Sequence, residues 1–327
     1  MKVKLPRTSF GISKPTKALP ELVISPRVDP RPADIFKVLV ILSGFSLESR
    51  FNHKQSRLVP TMSASEQSLQ QEQLEESLKQ LQDQVRKDPA NAKLRVFLFQ
   101  LLAILGRWDR ALTQLNVAGD LDAANLLMVQ TYREAILCEA LRSKVFAGAA
   151  SPLIFGDPQQ WVALLVEALR LDAEGHSQEA MTLRNQSFEL APATSGSFNG
   201  VNFKWIADGD SRLGPVLDAI VNGHYYWIPF QQISAIEIEE PTDLRDVVWM
   251  PALFTWANGG NSTGLIPTRY PGSETSKDSK LQLARKTEWK EIFEGAYLGL
   301  GQRVFATDID DYGLMDARQI ELHAQEA

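Results

Sequence analysis

The stretch LLAILGRWDRALTQL, residues 101–115, constrains the fold of this chain more than any other. Apolar residues at helical spacing run to Leu105, stop at Gly106 and resume through Ala111 and Leu115. Two helices that cross closely need glycine at the turn and a small residue where they touch. Gly106 and Ala111 supply these five positions apart, and Gly175 and Ala180 repeat the offset 69 residues later. The pattern predicts a TPR-like (tetratricopeptide-like) array of stacked helix pairs.

The flanking sequence fits that frame. Leu74, Leu78, Leu81 and Val85 fall on one face of a helix. Pro89 follows its end, and a second helix is expected from Ala92 to Leu105. LDAAN, 121–125, closes the unit 34 residues after DPAN. The stretch 125–148 offers room for a degenerate unit, ASPLIFGDPQQ (150–160) breaks it, and a last pair fills 161–192. Stacked pairs leave a concave face built by the first helix of each pair. The repeat frame puts Lys93, Val96, Gln100 and Ala103 there in one unit, and Val162, Leu165, Leu169 and Asp172 in the last. These residues either form core or line a groove for a partner helix.

After residue 194 the pattern changes. GPVLDAIV (214–221) reads as a helix, and HYYWIPF and SAIEIEE read as strands. The alternation in the latter is imperfect, with Ile233 and Ala235 in phase and Ile236 and Ile238 out of it. Residues 244–272 read as strands joined by an Asn-Gly turn. No strand–helix–strand alternation is sustained, so the expected class is α+β: an N-terminal helical repeat array followed by a domain with a mostly antiparallel sheet. Five of the seven tryptophans lie in this half. Arg245, Trp249, Arg269 and Tyr270 are of the residue types that dominate binding hot spots, and equally of the types that fill or pair within a core.

Charge divides the chain. Residues 1–62 hold 11 Lys/Arg against four Asp/Glu, a net +7, which leaves −13 for the rest of a chain whose total is −6. Prolines at 15, 20, 26, 30 and 32 make the basic segment irregular. Ser63 followed by Glu66 is a capping-box signature directly after Met62. We therefore expect residues 1–61 to be an irregular extension upstream of the true start, 63–194 to be helical repeats, and 195–327 to be the α+β domain.

Several chemistries lack their residues. Net negative charge argues against nucleic acid. No apolar run approaches the roughly 20 residues of a membrane span; the longest, 36–45, sits too late for a secretory signal. GLGQR (299–303) lacks the rest of a dinucleotide fingerprint. The lone Cys138 lies among apolar helical residues and reads as a small buried hydrophobe. Acids in TDIDDYG (307–313) lack the terminal Glu of a calcium loop. Asp208, Asp210 and Arg212 form either a salt-bridged turn or an acid/base site. No metal or cofactor is expected.

YREAILCEALRSKVFAG, FKWIADGDSRLGPVLDAIVNGHYYWIP, LRDVVWMPA and PTRYPGSE, in that order, resemble the ImpE/TagJ family of bacterial type VI secretion accessory proteins. The resemblance covers about residues 66–323. It implies a cytoplasmic adaptor rather than an enzyme, with no nucleic-acid or membrane partner. The implied partners are the small subunit of the contractile sheath, through its N-terminal helical segment, and the ClpV-type AAA+ ATPase. It carries no catalytic or binding motif onto particular residues, so the groove positions come from the repeat frame alone. Two other readings stand beside it: a metal-dependent enzyme using Asp208, Asp210 or the acids at 308–311, and a structural scaffold or homo-oligomer.

Overall fold

The computed structural model describes residues 73–157, 159–293 and 295–323. The expected capping box at Ser63 and the basic segment 1–61 lie outside the described residues.

Leu74, Leu78, Leu81 and Val85 are the buried face of α1 (Leu74–Lys87). Asn91 accepts a hydrogen bond from the Leu94 N–H and caps α2 (Ala92–Ile104). Seven consecutive residues of α2, Leu98 to Ile104, are buried, so the second half of this helix is enclosed on all sides. Gly106 has φ of 64° and ends it in a Schellman motif: the Arg107 N–H donates to Leu102 O and the Gly106 N–H to Ala103 O. α3 (Trp108–Leu121) returns along α2, with Ala111 fully buried where they touch.

The second pair repeats the device. α5 (Gln160–Ala173) ends at Gly175, whose φ is 85°, with the His176 N–H donating to Leu171 O. α6 (Ser177–Leu190) returns with Ala180 fully buried. Between the pairs the array departs from expectation. Residues 126–146 form one 21-residue helix, α4 (Leu126–Phe146), and no second helix pairs with it as a repeat unit. Its return path is β1 (Leu153–Ile154), which joins the sheet instead.

The remaining strands are β2 (Ser195–Phe198), β3 (Val201–Phe203), β4 (Ile206–Asp208), β5 (Val216–Val221), β6 (His224–Pro229), β7 (Ile233–Glu237), β8 (Trp249–Trp256), β9 (Asn261–Pro267), β10 (Thr287–Phe293), β11 (Ala296–Gly301), β12 (Val304–Thr307), β13 (Asp311–Gly313) and β14 (Gln319–His323). Nine form one sheet, ordered β1-β6-β5-β9-β8-β7-β14-β2-β3, antiparallel except for β1 against β6. The class is α+β, as expected, but two local readings need correction. GPVLDAIV is strand β5, not helix. Asn222 and Gly223, both at positive φ (50° and 74°), turn the chain tightly into β6, and the hairpin register carries every residue from Val216 to Val221 into pairing. The broken alternation in β7 has a cause: a register shift against β8 between Ile233 and Ala235, a bulge that resets which residues face inward.

The sheet separates two cores. Along β5, Val216 and Ile220 face the helices, while Leu217, Ala219 and Val221 face a second core with Met250, Phe254 and Ile266. The helix-side core mixes Leu81, Leu102 and Leu165 with Tyr225, Trp227 and Trp249. Helices and sheet therefore share one interior, despite the composition change near residue 194.

Because Ala111 has no exposed surface at the α2–α3 crossing, a larger side chain must push the helices apart. Ala111→Leu is expected to destabilise the protein by about 1–3 kcal/mol. Denaturant unfolding checks this; an unchanged midpoint would show that the crossing is looser than described.

Candidate functional site

The helix-facing side of β5 places a carboxylate, Asp218, in the middle of the apolar interior. It accepts from Arg142 Nε of α4 (2.7 Å), from the Tyr225 hydroxyl (2.9 Å) and from the Arg303 guanidinium. Burial alone pushes an acid up. Here Arg303 and Arg142 outweigh burial and hold Asp218 down at about 2. Arg142 also donates from Nη2 to the Arg269 carbonyl (3.0 Å), which ties α4 to the segment after β9. Arg303 is shared: its Nη1 lies 3.1 Å from Asp208 Oδ2. Burial pushes Asp208 up to about 7, against the attraction of Arg303.

Arg269 finds no carboxylate within ion-pair distance among the described residues. Its Nη1 donates to Ile104 O (2.8 Å) and Gln282 O (2.6 Å), and its Nη2 reaches Ala103 O (3.4 Å). A cation thus sits at the C-terminus of α2, on the Ile104 carbonyl, where the helix dipole favours it. Burial lowers its pKa to about 10, and it stays charged at neutral pH.

These contacts correct the proposed groove. Gln100 donates to Asp243 (2.9 Å), Ala103 lies beneath Arg269, and Val96 packs against the core shared with Val248 and Trp249. Val162, Leu165 and Leu169 are buried core residues; Val162 alone of the three edges a hollow of about 250 Å³ beside β1. Arg245 donates twice to Asp243 and lies 4.9 Å over the Tyr132 ring. Trp249 is fully buried and donates to Glu139 (2.9 Å). The Tyr270 hydroxyl accepts from the Val304 N–H (3.0 Å). Arg245, Trp249 and Arg269 meet α2 and α4 across one internal junction, and the concave face there is filled by the second half of the same chain. The cause is that the second half of α2 is apolar on nearly every face and the C-terminal loops carry the arginine that satisfies its end.

The acids of an alternative catalytic reading are also engaged. Asp210 is fully buried and accepts from Arg212 (2.5 Å) and from the Gly299 N–H (3.0 Å), which bears out the salt-bridged turn. Asp308 accepts from the Lys204 N–H (2.6 Å). Among the described residues no group of three His, Cys, Asp or Glu is placed to hold a metal ion. Cys138 is buried, its Sγ is 3.4 Å from Gly223 O, and burial pushes the thiol up to about 12.

A second opening, a groove of about 210 Å³, lies where α4 meets the ends of β5, β8 and β9 and the loop 239–246. Its floor is apolar, with Ile220 and Leu265. Its walls carry Glu134, Glu239, Glu240, Asp243 and Asp246 against a single cation, Arg245. Asp243 and Asp246 serve a capping box at residues 243–247. Glu134, Glu239 and Glu240 have no cation partner among the described residues. Of the residues selected from sequence, only Arg245 lines this groove. The rest come from five separate stretches, each too short to carry a signal.

Asp208 gives the junction a pH signature. In the folded chain it keeps its proton up to about pH 7, whereas unfolded it releases it near 3.8. The folded state therefore binds the extra proton between those values, and its contribution to stability falls as pH rises through that window. Asp208→Asn is expected to flatten this part of the stability profile. Urea midpoints across the window check this; an unaltered slope would contradict the assignment.

Comparison with known proteins agrees with this architecture. The family described as ImpE protein matches residues 200–321. The type VI secretion system accessory component TagJ of Pseudomonas aeruginosa is 49% identical over 263 residues, 80% of this chain and 92% of that protein. The crystal structure of protein VPA1032 from Vibrio parahaemolyticus superposes with a TM-score of 0.73 at 25% identity, covering 80% of this chain and 98% of that one. A lipase chaperone of Vibrio vulnificus is 33% identical over 98 residues, 30% of this chain and 33% of that protein. The identity to TagJ, sustained over nearly the whole of that protein, establishes that the chain belongs to the ImpE/TagJ family of type VI secretion accessory proteins.

Proposed function

We propose that this chain is a non-enzymatic, cytoplasmic adaptor of bacterial type VI secretion. It binds a helical segment of the small sheath subunit and links that subunit to the ClpV-type ATPase that recycles the sheath. The observation that carries this reading is the 49% identity to an accessory component across 92% of its length. The internal chemistry supports an adaptor too. The acids and arginines brought together at the junction are occupied with one another, and the open groove has an apolar floor between acidic walls. No helix among the described residues is long and apolar enough to cross a membrane. A rigid body with a charged, apolar-floored groove is suited to hold a helix from another protein.

Co-purification tests the reading. Tagged full-length chain, mixed with purified small sheath subunit and ClpV-type ATPase, is expected to retain both, with the ATPase retained more strongly when the sheath subunit is present. Retention of neither would refute the adaptor role.

A further inference from the structure

The groove beside α4 presents unpaired acids and a phenol hydroxyl to whatever enters it. Glu134, Glu239 and Glu240 line it without a cation partner among the described residues, although arginines are plentiful a few residues away. Tyr132 also lines it. This residue is only 2% exposed, its ring is fixed against Phe99 and Trp249, and its hydroxyl makes no hydrogen bond among the described residues. The hydroxyl is not among the enclosed polar atoms that lack a partner, so it opens on to the groove. Burial pushes its pKa up to about 12, so it is a neutral donor and acceptor.

An apolar lip adds to this. Leu126 is 57% exposed and Leu127 is 42% exposed at the start of α4, and Leu127 lines the groove itself. Leucines in the first turn of a helix gain nothing from water. Leu127 joins the floor of Ile220 and Leu265 in an apolar track flanked by negative charge.

We propose that this groove seats a basic amphipathic helical segment of a protein partner, its apolar face on Leu127 and the floor, its cations at Glu134, Glu239 and Glu240, and a polar group on the Tyr132 hydroxyl. Charge complementarity selects the occupant: the unpaired groups in the walls are all acidic, and a neutral or acidic helix would leave them desolvated and unmatched. On the adaptor reading, the segment is that of the small sheath subunit; the proposal rests on that reading for the partner's identity and on the groove for its chemistry.

Titration calorimetry of purified small sheath subunit into the full chain tests it. Glu239→Lys/Glu240→Lys and Leu127→Glu change exposed side chains and are expected to melt like the unaltered chain while binding about tenfold or more weakly. Tyr132→Phe keeps the ring and is expected to bind a few-fold more weakly. Rising salt should weaken the unaltered chain more than the charge-reversed one. Equal binding by all three variants would overturn the groove and leave the adaptor reading intact. If the unaltered chain does not bind the sheath subunit, the adaptor reading fails. The groove is then decided with a helical Leu/Lys amphipathic peptide: weaker binding to the charge-reversed variant supports it, and equal binding or none overturns it. Carbodiimide coupling of Glu239 or Glu240 to a lysine of the bound partner supports the assignment. Coupling instead to lysines within the chain's own residues 1–61 would assign the groove to that basic segment and overturn it.

Discussion

Asp218 held between Arg142 and Arg303 is the contact on which the rest of this structure depends. A lone carboxylate on the inner face of a central strand would be untenable, and two guanidiniums from distant parts of the chain make it tolerable. In doing so they fasten α4 to β5 and both to the strand that follows β11. Arg142 reaches on to the backbone at Arg269, and Arg269 reaches on to the end of α2. A single connected set of charges thus runs from the helical array through the sheet. Removing one member would leave the others buried and unmatched, so the set acts as a unit.

This arrangement changes what a TPR-like array does. In a free-standing array the concave face is the working surface. Here that face is the inner wall of the protein, closed by the loop 243–247 and by Trp249 and Arg269. The helices have become a layer over a sheet, and the surface left for recognition is the seam where the two meet. Tyr132 belongs to both sides of that seam: it sits on α4, packs at a tilt against Trp249 of β8 and lies under Arg245. The shape of the groove is therefore a consequence of the junction, and its negative walls are the part of the seam that the junction leaves unneutralised.

Some of this is readable from the chain alone and some is not. Gly106 and Gly175 announce themselves because only a left-handed residue closes a Schellman motif, and Ala111 and Ala180 because a close crossing admits nothing larger. The β8–β9 hairpin is marked by its turn. VLDAIV misleads because its apolar residues suit either period, and the deciding feature is the Asn222–Gly223 turn that follows. The bulge in β7 shows in sequence only as faulty alternation. Arg142 looks like any surface arginine until the fold buries it. Likewise, nothing in Glu134, Glu239 or Glu240 tells that they share a groove, because the residues between them in the chain lie elsewhere. Of the two roles the sequence leaves open for Gln100, Ala103 and Arg269, the fold fills the internal one, because residue types that suit an interface suit an internal interface equally well.

The central claim is that helices and sheet form one cooperative body fastened through Asp218. Native-state hydrogen exchange under increasing denaturant tests it most directly. Amides of α2, α4 and β5 are expected to converge on a single opening free energy and to exchange together. Exchange of α2 and α4 through a separate, lower-energy opening, with β5 still protected, would contradict the account.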